Sequence, residues 1–170
     1  MNTKKSKGIP VFTKQEINII ASKVSENSLA DSILIMLYTG IRMDELLNIK
    51  SSDIDLSSRI IKIHSKKSSR TRNVPIHKAI IPYIEKRLSN EFLYEIDGEK
   101  IESTQYQKNF FVPFMSSLNI NHSVHIARHT FSETMSTYTS AEVVNAICDY
   151  SNKDVPTATL ISEIDKLTYI

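Results

Sequence analysis

Between residues 59 and 76 the chain changes its period, and that change constrains the fold more than any other feature. Arg59-Ile60-Ile61-Lys62-Ile63-His64 is β-branched and alternates, and residues 71–76 form a second short candidate strand with Pro75 near its end. The polar, basic stretch between them reads as a hairpin connection. Elsewhere apolar residues recur mostly at helical spacing. The spacing predicts helices over 14–25, 28–39, 43–48, 77–88, 103–118, 125–138 and 141–148. An acidic connector occupies 89–102 around Asp97-Gly98, and 153–170 carries no readable period. Thr13 and Glu16 have the spacing of a capping box, and Gly40 reads as a helix stop. One hairpin among helices predicts a single α-dominated domain with a small antiparallel sheet. A chain of 170 residues can bury such a core without disulfides or metals.

Residues 1–12 read as a basic linker or arm, with Lys4, Lys5 and Lys7 ahead of Gly8 and Pro10, and the domain proper as 13–170. With only three glycines, glycine-rich phosphate loops and dinucleotide fingerprints are disfavoured. A single cysteine, Cys148, excludes an intramolecular disulfide and a cysteine-based zinc site. No apolar run is long enough to span a bilayer, and the basic N-terminus has no signal-peptide core behind it. The expectation is a soluble, cytoplasmic protein with no membrane partner.

Net charge is only +2, but its distribution is uneven. Residues 56–84 hold Arg59, Lys62, Lys66, Lys67, Arg70, Arg72 and Lys78 and no acid, whereas 141–170 carries a net charge of −3. A basic block on a defined element points toward phosphate; it also reads as an ordinary solvated face.

Three stations carry the candidate chemistry. In Thr39-Gly40-Ile41-Arg42-Met43-Asp44-Glu45-Leu46, Glu45 lies three residues after Arg42 on one helical face. A guanidinium so held suits bidentate phosphate binding; the segment also reads as a surface ion pair beside a helix cap. The second station is the hairpin bend with Lys66 and Lys67, where a lysine can reach a departing oxygen as a proton donor or simply keep a turn soluble. The third is His125-Ile126-Ala127-Arg128-His129-Thr130. His125 and Arg128 share a helix face, which allows acid–base work beside a charge clamp. A capped helix or a core histidine would account for the same residues. His122, His125 and His129 lack the acidic companion that a zinc reading needs.

In this order the stations resemble the catalytic domain of tyrosine recombinases, the phage-integrase family. That family shows Thr-Gly-Leu-Arg-x-x-Glu-Leu, then a β-hairpin lysine, then His-x-x-Arg-His-Thr. Here Thr39, Gly40, Arg42, Glu45 and Leu46 match the first motif, and His125, Arg128, His129 and Thr130 match the last. The resemblance spans about residues 12–160. It implies a mainly α fold with a small antiparallel sheet, duplex DNA as substrate, and cleavage and rejoining through a phosphotyrosine link without metal or other cofactor. Arg42 and Arg128 would clamp the scissile phosphate, and Glu45 would position Arg42. Lys66, or alternatively Lys67, would protonate the leaving 5′ oxygen. His125, supported by His129, would assist proton transfer. Arg128 is expected to line a solvent-open pocket and to be dispensable for folding. Exchange of the C-terminal tail between protomers of a homo-oligomer on DNA is a family expectation, and the family's N-terminal core-binding domain has no counterpart in 1–12.

The match breaks in one place. Where the family continues Leu-Gly-His, this chain has Cys148, Asp149 and Tyr150, and the nucleophile window holds Ala158, Thr159, Leu160 and Ile161 without a tyrosine. Tyr150 and Tyr169 are the remaining candidates for the nucleophile. A domain that keeps the phosphate pocket for DNA binding or regulation alone is the alternative.

Overall fold

The computed structural model describes residues 8–65, 69–150 and 153–169. Thr13 opens α1 (Lys14–Ser22) through the expected capping box: Thr13 N–H donates to Glu16 Oε2 at 2.7 Å and Glu16 N–H to Thr13 Oγ1 at 3.2 Å. Phe12, at the end of the stretch read as an arm, is already core, and its N–H donates to Thr130 Oγ1 at 2.9 Å.

The centre of the molecule is α2 (Ala30–Thr39), whose ten residues are all buried. A helix apolar all round must be enclosed on every side. It packs against α1 and against α7 (His125–Met135). Its buried acid, Asp31, is matched by Lys86 Nζ at 2.6 Å, Arg87 Nη2 at 3.1 Å and the Tyr94 hydroxyl at 2.7 Å. Charge enclosed this way needs partners on several sides.

Gly40 ends α2 with φ +65, and α3 (Met43–Leu47) starts at once. A Cβ at Gly40 would lie 2.3 Å from Phe131 Cδ1 on α7. Glycine is therefore required twice, for the left-handed turn and for the close approach. Gly40→Ala is expected to lower stability by about 2–4 kcal/mol, from backbone strain plus overpacking, read by urea denaturation.

The sheet has three antiparallel strands in the order β1 (Ile54–Asp55), β2 (Ile60–Ser65) and β3 (Arg70–Pro75). Ile60 pairs with Pro75 and Ser65 with Arg70. Ile61 and Ile63 face inward while Lys62 and His64 face out, as period-two alternation requires. β1 is too short to leave a periodic trace. The expected helix over 77–88 contracts to a 3-10 turn and α4 (Ile81–Glu85). The connector hides a hairpin, β4 (Glu95–Ile96) and β5 (Glu99–Lys100). Its turn residues Asp97 and Gly98 have φ +52 and +79, the two left-handed positions that an Asp-Gly turn supplies.

The helix expected over 103–118 is present but not uniform. α5 (Ser103–Tyr106) widens into a π turn over Gln107–Phe111 before α6 (Val112–Ser117). Pro113 has no N–H to give to the turn before it. Val112 N–H instead reaches Gln107 O, five residues back, the signature of a π turn. Tyr106, Phe110 and Phe111 are thereby all kept inward.

α7 leads to α8 (Ala141–Ile147) and, after the connection, α9 (Thr157–Ile164). This last helix organises the segment without a readable period. It packs on β3 and α8, burying Leu160, Ile164, Leu167 and Tyr169. Arg59 locks it from the sheet side: its guanidinium donates to Asp165 Oδ1 at 2.5 Å and Oδ2 at 3.0 Å and to Ile76 O. Within the single chain the tail therefore packs on β3 and α8. Among the described residues no helix is long and apolar enough to cross a membrane.

Candidate functional site

Three chain segments converge where α2 meets α3, where β3 passes α8, and where α7 begins. The focus is Glu45, whose side chain is only 4% exposed. As the third residue of α3 it reaches back to accept the Arg42 N–H at 2.8 Å, and Oε1 accepts Arg42 Nη1 at 3.1 Å. Arg72 meets the same carboxylate in a parallel fork, Nη1 to Oε1 at 2.8 Å and Nη2 to Oε2 at 2.9 Å. Arg128 Nη1 stands 4.0 Å from Oε2. Burial would raise the Glu45 carboxyl, but the Arg72 hydrogen bonds and charge, with those of Arg42, outweigh it and hold the group below its ordinary value.

Arg128 is placed by helix ends. Its Nη1 donates to Gly40 O at 2.9 Å, past the end of α2, and its Nη2 to Cys148 O, past the end of α8. Arg72 Nε donates to Ile147 O at 2.8 Å on the same helix end. Carbonyls at helix C-termini lack intrahelical donors and carry partial negative charge, so guanidinium groups settle there. Arg128 is accordingly 9% exposed. That corrects the expectation of an arginine lining a solvent-open pocket: two of its donors close helix ends.

Tyr150 completes this side. The Arg128 guanidinium lies 4.8 Å from the Tyr150 ring centroid, and Nε donates to the phenol oxygen at 3.3 Å. The ring remains 55% exposed. Asp149 precedes it at φ +56, a left-handed position that Asp tolerates better than most residues. Its oxygens lie 3.8 Å from Arg42 Nη1 and 3.8 Å from Arg70 Nη2. Cys148 is buried beneath them, and burial pushes its thiol up to about 11, which makes it a packing residue rather than a nucleophile.

Arg42, Glu45, Arg128 and Tyr150 are therefore brought together as one group. His125 is exposed at the first position of α7, one turn before Arg128, and His129 is half-buried on the next turn. Lys66 and Lys67 lie outside the described residues. Tyr169 is not at the cluster: it is 5% exposed, its ring meets Tyr38 edge-on at 5.0 Å, and burial pushes its phenol well above the ordinary range. The window residues Thr159 and Ala158 are exposed on α9, Leu160 is buried and Ile161 half-buried.

Sequence reasoning passed over three members of the site. Arg70 and Arg72 were legible only as part of a basic block, although alternate residues of a strand share a face. Asp149 reads in the sequence as a departure from the family motif and not as a charge in the pocket. Together Arg42, Arg70, Arg72 and Arg128 outnumber Glu45 and Asp149, so the cluster is net positive and suited to a diester anion.

The family model described as "Phage integrase family" matches residues 10–156, ending one residue before α9. Tyrosine recombinase XerC of Bacillus pumilus is 35% identical over 94 residues, 48% of this chain and 30% of that protein. The chain spans half or less of the length of the curated relatives it matches. Among solved structures, the lambda integrase catalytic core superposes with a TM-score of 0.69 at 15% identity, covering 85% of this chain and 92% of that one. The Tn1549 transposon integrase, solved in complex with circular intermediate DNA, superposes with a TM-score of 0.70 at 18% identity, covering 89% and 60%. The fold is that of tyrosine recombinase catalytic domains, and by its match over most of its length the chain belongs to the phage integrase family.

Proposed function

We propose that this chain is the catalytic domain of a site-specific DNA recombinase, binding duplex DNA with a backbone phosphate between Arg42 and Arg128. The observation that carries the reading is the convergence of these two guanidiniums, distant in sequence, over the buried carboxylate of Glu45. A side chain fixed before substrate arrives binds an anion without losing further rotamer freedom. The Tn1549 integrase shares the fold and was solved with DNA, which supports DNA as the partner.

In the cleavage step, a tyrosine oxygen bonds to phosphorus and the bond from phosphorus to the 5′ oxygen breaks. The phenol proton passes to a base, the role read for His125 from the family motif, and the 5′ oxygen takes a proton from Lys66 or Lys67. Tyr150 is the tyrosine beside Arg128. Tyr169 would first have to leave the core, breaking its packing on Tyr38 and releasing the Arg59–Asp165 pair. The same opening would be needed for the tail to reach a second protomer. A second reading, a DNA-binding module without cleavage, is favoured by one observation: α9 presents Thr159 and Ala158 to solvent and carries no tyrosine.

Nicked suicide duplexes drawn from DNA flanking the gene test the choice, with adducts mapped by mass. A covalent adduct on Tyr150, absent from Tyr150→Phe, is the expected product of the recombinase reading. No adduct from the parent, with one formed by Thr159→Tyr, would establish the module: a sound pocket lacking its nucleophile.

A further inference from the structure

The phosphate pocket contains an acid. Asp149 is 8% exposed in its side chain and lies between two guanidiniums, 3.8 Å from Arg42 Nη1 and 3.8 Å from Arg70 Nη2. Both are partly open, Arg42 at 27% and Arg70 at 44%. A cleft between β3 and the α8–α9 connection runs past this point, lined by Arg70, Arg72, Asn73, Asp149, Lys153 and Asp154 among others. Glu45 already balances Arg42 and Arg72 from beneath. The second carboxylate stands between the two guanidiniums of the cluster that remain partly open.

We propose that Asp149 is the resident counter-anion of this pocket and Arg70 a further phosphate-binding side chain. A DNA phosphate oxygen takes the place of the Asp149 carboxylate between Arg42 and Arg70. The pocket is thereby kept electrostatically closed until a polyanion with several simultaneous contacts displaces the internal one. This rests on the DNA-phosphate reading above for its ligand, but not for the existence of the anion seat. The placement also explains the backbone: the left-handed turn at φ +56 aims the residue back at the arginines, and Asn or Gly can hold that turn as Asp does.

The test uses the full chain and two probes, a fluorescent duplex read by anisotropy and inorganic phosphate read by thermal shift. Asp149→Asn keeps the turn and removes the charge; Asp149→Gly is the second variant should the first fold poorly. Asp154→Asn removes the same charge from an exposed residue of the same cleft. Asp149→Asn is expected to bind duplex about tenfold more tightly at equal salt and to gain a larger phosphate-induced rise in melting temperature than the parent. Asp154→Asn should stay within about twofold of the parent, because a screened charge contributes little. Adding Arg70→Gln should cancel the gain of Asp149→Asn.

If duplex binding depends on Arg42 yet Asp149→Asn is no tighter than the parent, the counter-anion is overturned and the DNA reading stands. If phosphate stabilises Asp149→Asn more than the parent while neither binds duplex, the anion seat stands and the DNA reading falls. Equal effects of Asp149→Asn and Asp154→Asn would overturn the proposal, since only net charge would then matter.

Discussion

Glu45→Ala is expected to lower the unfolding free energy by about 3–5 kcal/mol, the cost of leaving buried guanidiniums without their anion. Arg42 and Arg72 both bond this carboxylate and Arg128 stands beside it, so its loss sets three like charges against one another. Duplex binding should fall with it, because the guanidiniums will splay. Glu45→Gln keeps the shape, isolates the charge and gives the sign of the pH effect. The Glu45 carboxyl is held below its ordinary value of 4.5. Its contribution is therefore fully present above that pH and is lost as pH falls through the depressed folded value. The stability gap between parent and Glu45→Gln should be constant near neutrality and close below about pH 4.5, read from urea midpoints. A gap that widened on acidification would mean that the carboxylate is not what the arginines hold.

Arg128→Ala is the second large effect, and it has two parts. The substitution leaves the Gly40 and Cys148 carbonyls without the donor they now share, which is expected to cost about 3–5 kcal/mol. It also removes a buried positive charge of the pocket, so DNA binding and any strand cleavage should disappear together. Arg128→Lys separates the two. A lysine restores a point charge but cannot make the same fork, and the expected result is partial recovery of stability without recovery of DNA binding. Denaturation and anisotropy on the same preparations check both. Full recovery of binding by lysine would show that charge alone, and not geometry, governs the pocket.

The parts of this site that were legible in the sequence are those written locally. Thr13 and Glu16 lie within one helical turn, as do Arg42 and Glu45, and Gly40 marks the stop that lets α3 begin. His125 and Arg128 are likewise one turn apart. Arg72 escaped notice because both its partners are remote: Glu45 lies 27 residues away and Ile147 lies 75 away. Only the alternation Arg70-Thr71-Arg72 hinted that two arginines face the same way. Arg128 was legible as a charge, but its second role as a closure for α2 and α8 depends on how three helices meet. The fate of Tyr169 was hidden for the same reason, since its burial follows from α9 docking on β3 and from the Arg59–Asp165 pair. β1 and the β4–β5 hairpin were too short for a period to register, although Asp97-Gly98 named the turn.

If this arginine cluster grips a DNA backbone phosphate, Arg42→Gln must weaken duplex binding. Arg42 is the more open of the two clamping arginines, and among the described residues its side chain donates to no backbone carbonyl, so its loss should spare the fold. Phosphate contacts carry no sequence information, so an arbitrary duplex serves. Anisotropy titrations across a salt series give the slope of log K against log salt. Arg42→Gln should bind more weakly and with a slope shallower by about one, the signature of a single lost phosphate contact. Parent and Arg42→Gln binding with the same affinity and the same slope would contradict it.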